Sequence, residues 1–376
     1  MFGGRRLGRV GTQRLLIVSA SVLMVLSAAC SASAPVRHAA AVAAGRASPV
    51  VVRRHRLASS GDINLAFAGD VHFAGRVARL LEDPATTFGP VTSVLKSADF
   101  TAVNLETPVT RRGQPQPKTY HFATTPGAFT ALRDAGVDLV TIANNHILDY
   151  GQAGLADTLA AANAAHFPFV GAGVNAAAAW APYVSTINGT KIAVVGVSQV
   201  AELASSWVAT AYRPGEANAL DLGQTLAAVR AAKRLARIVI VFMHWGTEGM
   251  ACPDQDQLSL APKLAAAGAS IIIGAHAHVL QGSGWLGHTF VAYGMGNFLW
   301  WENSDSTATG VLKLTLHPHA PLTARFIPAV VSGTGQPIVD KGAAASRAVA
   351  HYASLRTCAG LSARPPAGAI TPTSAG

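Results

Sequence analysis

Acidic residues are missing from the first 61 positions of this 376-residue chain, and so is lysine. The basic side chains there are nine arginines: Arg5, Arg6, Arg9, Arg14, Arg37, Arg46, Arg53, Arg54 and Arg56. The whole chain has 29 Lys and Arg against 19 Asp and Glu, so setting those nine aside leaves 20 against 19. The positive excess therefore belongs to one terminal segment and does not read as a nucleic-acid footprint. Charge is scarce overall, at 13% of residues against 50% hydrophobic, which is too apolar for a disordered protein. Long apolar runs are lacking too. Residues 15–29 fall short of the roughly 20 that a membrane span needs, and 36 Gly and 20 Pro interrupt the rest. Cysteine is limited to Cys30, Cys252 and Cys358, and none stands near the candidate ligands below, which excludes a structural thiolate zinc site.

What is present at the start has the layout of an export signal over 1–30. Arg5 to Arg14 form a basic region, the apolar run follows, and Leu26-Ser27-Ala28-Ala29 precede Cys30. Small residues before a cysteine resemble a lipoprotein processing site, with Cys30 as the lipid anchor. Ser27 stands where an aliphatic residue is usual, and Leu26 is one position further back. Cleavage after Ala32-Ser33-Ala34 and an uncleaved membrane anchor are the alternatives. Residues 31–60 are Ala, Ser, Pro, Val and Arg without an acid or a period, and read as a disordered tether. The compact domain is expected over 61–357 and a disordered tail over 358–376. This layout places the protein outside the cytoplasmic membrane, on its outer face or in the envelope, held to the membrane through its N-terminus.

Within the domain, short apolar runs alternate with alanine-rich stretches of helical period. Strands are predicted at 63–68, 100–105, 139–143, 191–197, 238–243, 270–274, 289–293, 310–316 and 325–331. Helices are predicted at 90–97, 127–135, 153–165, 222–235, 257–267 and 343–355. The early strands are almost wholly apolar, as in sheets buried on both faces, and the later ones alternate, as in antiparallel pairs. The expected class is α/β with mixed sheets.

Five of these strands end in metal-binding side chains: Gly69-Asp70-Val71-His72, Asn104-Leu105-Glu106, Asn144-Asn145-His146, His244-Trp245-Gly246-Thr247-Glu248 and Gly274-Ala275-His276-Ala277-His278. Taken singly, each has a plain structural reading. Asp70 would cap a helix, Asn145 would sit in a turn, and a lone histidine is more often structural than a ligand. Taken together, carboxylates, imidazoles and an amide oxygen at successive strand ends converge on one crevice, because open α/β sheets gather their carboxyl ends there. That donor set suits two divalent ions from among Mn, Zn, Fe and Mg. Such a pair activates water for attack on an electrophile.

In this order the motifs resemble the calcineurin-like metallophosphatase superfamily, and more closely the CapA (poly-γ-glutamate synthesis) family. The resemblance covers about residues 62–300 and rests on Ala68-Gly69-Asp70-Val71, Asn104-Leu105-Glu106-Thr107-Pro108, Ala143-Asn144-Asn145-His146-Ile147-Leu148-Asp149-Tyr150-Gly151, His244-Trp245-Gly246-Thr247-Glu248, Gly274-Ala275-His276-Ala277-His278 and Tyr293-Gly294-Met295-Gly296-Asn297-Phe298. It implies a four-layer αββα metallophosphatase-like sandwich. It implies that Asp70 and His72 hold one metal with His278, that Glu106 bridges, and that Asn145, His244 and His276 hold the second. His146, beside Asn145, would be the general acid. Two departures from the superfamily stand out. Glu106 replaces the usual bridging aspartate, and Gly-Ala-His-Ala-His replaces Gly-His-x-His.

Other residues carry two readings. Asp149 and Glu248 would orient histidine ligands or only cap turns. Trp245, Trp300 and Trp301 would line a substrate groove or pack in the core. Asn297 would polarise a substrate or form a tight turn. Lys118 and His121 lie in a Pro- and Gln-rich loop, where Lys118 would grip a polyanion or be an ordinary solvated lysine. With Cys30 at the signal boundary, Cys252 and Cys358 are left either to form a disulfide or to stay unpaired as small buried apolar residues.

The expected function is that of an exported metal-dependent hydrolase-like protein acting on an anionic polyglutamate-type capsule or cell-wall polymer, or another envelope substrate, with a membrane synthase complex as a partner. A metallophosphoesterase and a non-catalytic polymer-binding subunit of that synthase are the alternatives. The complete ligand set favours an enzyme.

Overall fold

A computed structural model describes residues 61–301 and 305–369. The expected export signal with Cys30, the tether and residues 370–376 lie outside the described residues. Two mixed sheets make up the domain. The first runs Pro337–Val339, Ala320–Val331, Ala308–His317, Ile63–Val71, Phe100–Leu105, Leu139–Thr141, Phe169–Val170, with Asn297–Leu299 also beside Ile63–Val71. The second runs Ser283–Leu286, Thr289–Ala292, Ile271–His276, Ile238–Trp245, Thr190–Ser198, Tyr183–Ile187.

Side-chain alternation along the strands builds the layers, since successive residues face opposite sides of a sheet. Ile238, Ile240 and Phe242 face the other sheet, where they meet Leu65, Phe67, Phe100 and Leu139. Val239, Val241 and Met243 face outward, onto Val229 and Ala232 of helix Leu222–Leu235 and Leu260 and Leu264 of helix Gln255–Ala267. On the far side, Ala66, Val103, Leu105 and Val140 pack on Phe129 and Leu132 of helix Gly127–Asp134 and Leu155 of helix Gly151–Ala164. The result is the four-layer αββα sandwich. Full burial of each such Ile, Phe, Val or Leu contributes roughly 1.5–3 kcal/mol. No helix of the described residues is long and apolar enough to cross a membrane.

The polarity of the strands follows the expectation. Ile63–Val71, Phe100–Leu105 and Leu139–Thr141 pair in parallel, as do Thr190–Ser198, Ile238–Trp245 and Ile271–His276, whereas Ala308–His317 and Ala320–Val331 are antiparallel. The tail expectation is corrected. Residues 358–369 belong to the packed domain. Cys358 is disulfide-bonded, Leu361 joins the outer core, and Ser362 exchanges backbone hydrogen bonds with Trp285 at 2.8 and 2.9 Å. Its Pro- and Ala-rich composition hid these contacts because they are made by backbone and a covalent bond.

Two strand glycines allow the sheets to close at the site. A Cβ on Gly69 would lie 1.8 Å from the Gly296 carbonyl oxygen, and one on Gly274 would lie 1.8 Å from that of Tyr293. The backbone there uses this closeness, with Asp70 N donating to Gly296 O at 3.0 Å and Met295 N to Gly274 O at 2.9 Å. Because the obstacle is backbone, it cannot swing aside. Gly69→Ala is expected to cost about 3 kcal/mol or more, measured as a drop in the urea midpoint. A midpoint within error of wild type would show that the close approach is not required.

Candidate metal centre

The strand register brings the motif residues to one level. Asp70 sits opposite Asn104 on one side and Asn297 on the other, and His244 sits opposite Ser198 and Ala275. The two sheets meet here, where His276 N donates to Asp70 Oδ2 at 3.1 Å. Two sets of donors then lie close together: Asp70, Glu106 and His244, and Glu106, His276 and His278. Within each set the ligand atoms are all within 4.8 Å of one another, and Glu106 belongs to both. Asn145 Oδ1 lies 2.9 Å from His244 Nε2.

The chemistry of this cluster leaves room for cations. The Asn104 amide nitrogen, with two hydrogens, lies 2.8 Å from Asp70 Oδ1, 3.3 Å from Glu106 Oε2 and 3.1 Å from His244 Nδ1. Its own oxygen accepts from Asn144 Nδ2 at 3.0 Å, which fixes the amide's orientation. Among the described residues, Glu106 Oε1 and His276 Nδ1 are buried without a hydrogen-bond partner. Unpaired buried donors and acceptors are costly, and a divalent ion would satisfy this excess of lone pairs. His276 and His278 have φ of 87° and 57°, a left-handed conformation that costs a non-glycine residue about 1–3 kcal/mol each.

Protonation favours metal binding at Asp70, His244 and His276 and opposes it at Glu106 and at His278, where burial lowers the imidazole but the hydrogen bond and charge of Asp70 outweigh it and raise it. Burial pushes the Asp70 carboxyl up, but the hydrogen bond and charge of His278, with His244 and Asn104, outweigh it and hold it below the usual carboxylate range. Burial lowers His244 to about 3, and burial with the neighbouring imidazoles lowers His276 well below its ordinary value. An ionised carboxylate and neutral imidazoles are the metal-binding forms. Burial and the charge of Asp70 push Glu106 well up.

His244 lies with Asp70 and Glu106, and His276 with His278, while His278 Nδ1 is also 3.5 Å from Asp70 Oδ2 and the His244 and His276 rings are 4.6 Å apart. His72 is in neither set. Ala74 N donates to its Nδ1 at 3.0 Å, and its ring is stacked on Phe122 at 4.7 Å with Trp300 and Trp301 edge-on at 4.2 and 4.8 Å. Its Nε2, like Glu106 Oε1 and His276 Nδ1, is buried without a hydrogen-bond partner among the described residues.

His146 stands beside the cluster, its Nε2 3.9 Å from Glu106 Oε1 and its Nδ1 2.7 Å from Asp149 Oδ2. Asp149 thus orients a histidine rather than capping a turn. Burial pushes its carboxyl up to about 6, against the pull of Lys118 and the Phe122 N–H. Lys118 was expected at the surface or on a polyanion. It is instead enclosed, its side chain 2% exposed, with Nζ 3.1 Å from Asp149 Oδ1 and 2.9 Å from Glu202 Oε2. His121 stays in its own loop, Nε2 2.6 Å from Gln116 O. Asn297 Oδ1 is 2.8 Å from His278 Nδ1, which makes it a neighbour of the imidazole rather than a free polarising group. Glu248, about half exposed, approaches His278 Nε2 at 3.9 Å. Trp245 is core, donating to Tyr293 O at 2.8 Å, whereas Trp300 packs on His72 and His278. Cys252 and Cys358 form a disulfide with Cα atoms 5.6 Å apart.

Residue-by-residue reading assigned no role to Asn104, Glu202 or Phe122. Asn104 stands in the strand-end cluster Asn104-Leu105-Glu106, of which only Glu106 was given a role. Glu202 lies in a loop without a motif.

A further buried carboxyl, Glu216, ends the short strand Gly215–Glu216. Glu216 accepts from Asn218 Nδ2 at 2.9 Å, and burial pushes it up to about 8, against hydrogen bonds from Asn218 and Ser198 and the charge of Lys118. A folded value above the unfolded 4.5 means that the native state keeps a proton that the unfolded chain releases. Its contribution is full below about pH 4.5 and is lost as pH rises to about 8, on the order of 5 kcal/mol in all. Glu216→Gln is therefore expected to flatten part of the fall in stability over that window, read from urea melts at several pH values. Parallel slopes for the two proteins would refute the assignment.

The family model "Bacterial capsule synthesis protein PGA_cap" matches residues 64–301, which hold all five strand-end clusters. The capsule biosynthesis protein CapA of Bacillus anthracis is 30% identical over 274 residues, covering 69% of this chain and 66% of that protein. The PGA biosynthesis protein CapA of Bacillus subtilis (strain 168) is 30% identical over 272 residues, covering 70% of each. A probable polyglutamine synthesis accessory protein of Mycobacterium tuberculosis is 34% identical over 206 residues, covering 51% of this chain and 53% of that one. The chain thus spans about two thirds of the length of the Bacillus relatives. Among solved structures, a novel phosphatase of Mycoplasma pneumoniae has a TM-score of 0.43 at 15% identity, covering 72% of this chain and 94% of that one. A 5'-nucleotidase from Candida albicans SC5314 has a TM-score of 0.42 at 13% identity, covering 81% and 60%. From the extent of the family match and its agreement with both Bacillus relatives, the chain belongs to the PGA_cap family of bacterial capsule synthesis proteins.

Proposed function

We propose that this protein takes part in making or processing a poly-γ-glutamate-type polymer of the capsule or cell wall, and that it does so as a metal-dependent hydrolase on the outer face of the cytoplasmic membrane, held there through its N-terminus. The names of the Bacillus relatives support the polymer. The observation that carries the chemistry is Glu106, shared by two acid–imidazole sets, with the His146–Asp149 pair alongside.

Asp70, Glu106, His244, His276 and His278 would hold two divalent ions, with Asn145 next to His244. When bound, such ions polarise the bond under attack and activate water. The chain's own residues do the rest. Asn104 fixes the Asp70 and Glu106 carboxylates. Asn297 and Asp70 hold the His278 ring. Asp149 accepts the Nδ1 hydrogen of His146, which leaves Nε2 as a bare acceptor; burial and the charge of Lys118 hold the ring neutral, so Nε2 would first take up a proton, as from the activated water, before it could pass one to a leaving group. Phe122, stacked on His146 at 4.2 Å, keeps water from one face of that ring.

Purified protein with added Mn or Zn, incubated with poly-γ-glutamate and with a generic phosphodiester, tests the reading. Shortening of the polymer that EDTA abolishes is the expected result. Cleavage of the phosphodiester alone would replace the amide reading with a phosphoesterase. Polymer binding without cleavage of either substrate would leave a binding subunit of a synthase.

A further inference from the structure

The segment before His146 in the site is tied down unusually from one side. Its base is closed by Thr110 N donating to Thr124 O at 3.1 Å and Thr124 N to Pro108 O at 3.0 Å. From there it reaches Asp149 three times. Gln116 N donates to the Asp149 carbonyl at 2.9 Å, Phe122 N donates to Oδ2 at 2.7 Å, and the Lys118 ammonium meets Oδ1 at 3.1 Å. Lys118 also donates to the Asn145 carbonyl and pairs with Glu202 Oε2 at 2.9 Å, and its ammonium lies 5.4 Å over the Trp207 ring. Asn145 immediately precedes His146 and Asp149 follows it three positions later, so a single enclosed cation touches a residue before it and one after it. Glu202 Oε2, the other end of that cation, lies 3.5 Å from Asn145 Nδ2.

A lysine buried for packing alone would not choose this place. Enclosing an ammonium is costly unless its charge is matched, and here Lys118 has one hydrogen bond, to the Asn145 carbonyl, and two ion pairs, with Asp149 Oδ1 and Glu202 Oε2. All three acceptors belong to, or contact, groups that must be held in one orientation. Asp149 needs its second oxygen free for His146 Nδ1, and Lys118 occupies the first. Asn145 must present Oδ1 towards His244 Nε2, and Lys118 fixes its carbonyl while Glu202 meets its amide nitrogen.

We propose that Lys118 is a positioning residue of the centre: its ammonium, clamped between Asp149, Glu202 and the Asn145 carbonyl, sets the orientation of the His146 ring and of the Asn145 side chain. This rests on the metal-centre reading above. It also assigns Lys118 away from substrate. The loop that carries it is a fixed wall of the site, and the grip on an anionic polymer belongs to other residues.

The test reads the His146 tautomer and metal affinity separately, on the full chain. Long-range nitrogen–proton NMR correlations of His146 in the unmodified protein should show a ring protonated on Nδ1. In Lys118→Ala the ring should populate both tautomers, and Mn2+ affinity measured by calorimetry should fall by roughly 10–100-fold, as when a partner behind a metal ligand is removed. Added methylammonium should restore both readouts towards wild type. A Lys118→Ala protein that keeps the Nδ1 pattern overturns the proposal whatever its melting temperature. If that variant does not fold, an unmodified protein whose His146 carries its hydrogen on Nε2 overturns it unaided. If the unmodified protein binds no Mn2+, the metal-centre reading fails, and the tautomer comparison still decides what Lys118 does.

Discussion

Glu106→Gln is expected to weaken divalent-metal binding by more than about 100-fold and, in metal-free protein at pH 8, to raise stability. The first effect follows from the position of Glu106 in both donor sets, so that one substitution damages each. Loss of a partner behind a ligand costs roughly 10–100-fold, and loss of the shared ligand exceeds that. The second effect has the opposite sign because the carboxyl is a burden without metal. It is fully buried, one oxygen lacks a hydrogen-bond partner, and Asp70 repels its charge. Its folded pKa therefore lies well above the unfolded 4.5. The contribution of the protonated form is complete below about pH 4.5 and is lost as pH rises through the folded value. Glutamine keeps the shape and carries no charge, so the variant escapes that loss. Calorimetric titration with Mn2+ and thermal melts in EDTA at pH 5 and pH 8 measure the two effects. Wild-type affinity in the variant would remove Glu106 from the centre. Melts at pH 8 that do not separate would refute the account of its charge.

Breaking the Cys252–Cys358 bond is expected to cost about 4 kcal/mol of stability. The two cysteines are 106 residues apart, and closing a loop of that size removes much of the freedom of the unfolded chain. For a domain of this size the melting temperature should drop by about 10 °C. The bond fastens the residues after helix Gly342–Ser354 to the segment between Glu248 and Asp254, next to the metal centre. That segment has a second hold, because Gln281 Nε2 donates to the Met250 carbonyl at 2.8 Å. Metal affinity should therefore fall less than stability does. Melts with and without reductant, set against a Cys252→Ser/Cys358→Ser variant that ignores reductant, make the measurement. Two reactive thiols beyond Cys30 in the oxidised, denatured chain would rule the bond out.

Much of the fold was legible because its strands are local statements. An apolar run such as 238–243 or 191–197 needs no partner to be recognised, and each of the nine predicted strands overlaps an observed one. The pairs that were missed declare themselves only across space. Phe169–Val170 and Asn297–Leu299 are too short for a period and exist because Leu139–Thr141 and Ile63–Val71 offer them hydrogen bonds. Tyr183–Ile187 is different. Asn188 and Gly189, with φ of 47° and 82°, form the two-residue turn of a hairpin, and that signal was present in the residues and passed over.

By itself, then, the sequence determined which residue types stand at the strand ends, and hence that carboxylates, imidazoles and amides would gather at one edge of an α/β sandwich. Strand periodicity is local, and parallel strands put their carboxyl ends together. Only the tertiary structure decided which of those groups face one another. His72 turned to a backbone N–H and three aromatic rings, Asn104 became the donor between three acceptors, and Lys118 went inward to two carboxylates. The physical reason is that side-chain direction is set by whichever partner satisfies each buried polar atom. Those partners come from segments up to 206 residues away, as His276 N is from Asp70, where no spacing along the chain records them.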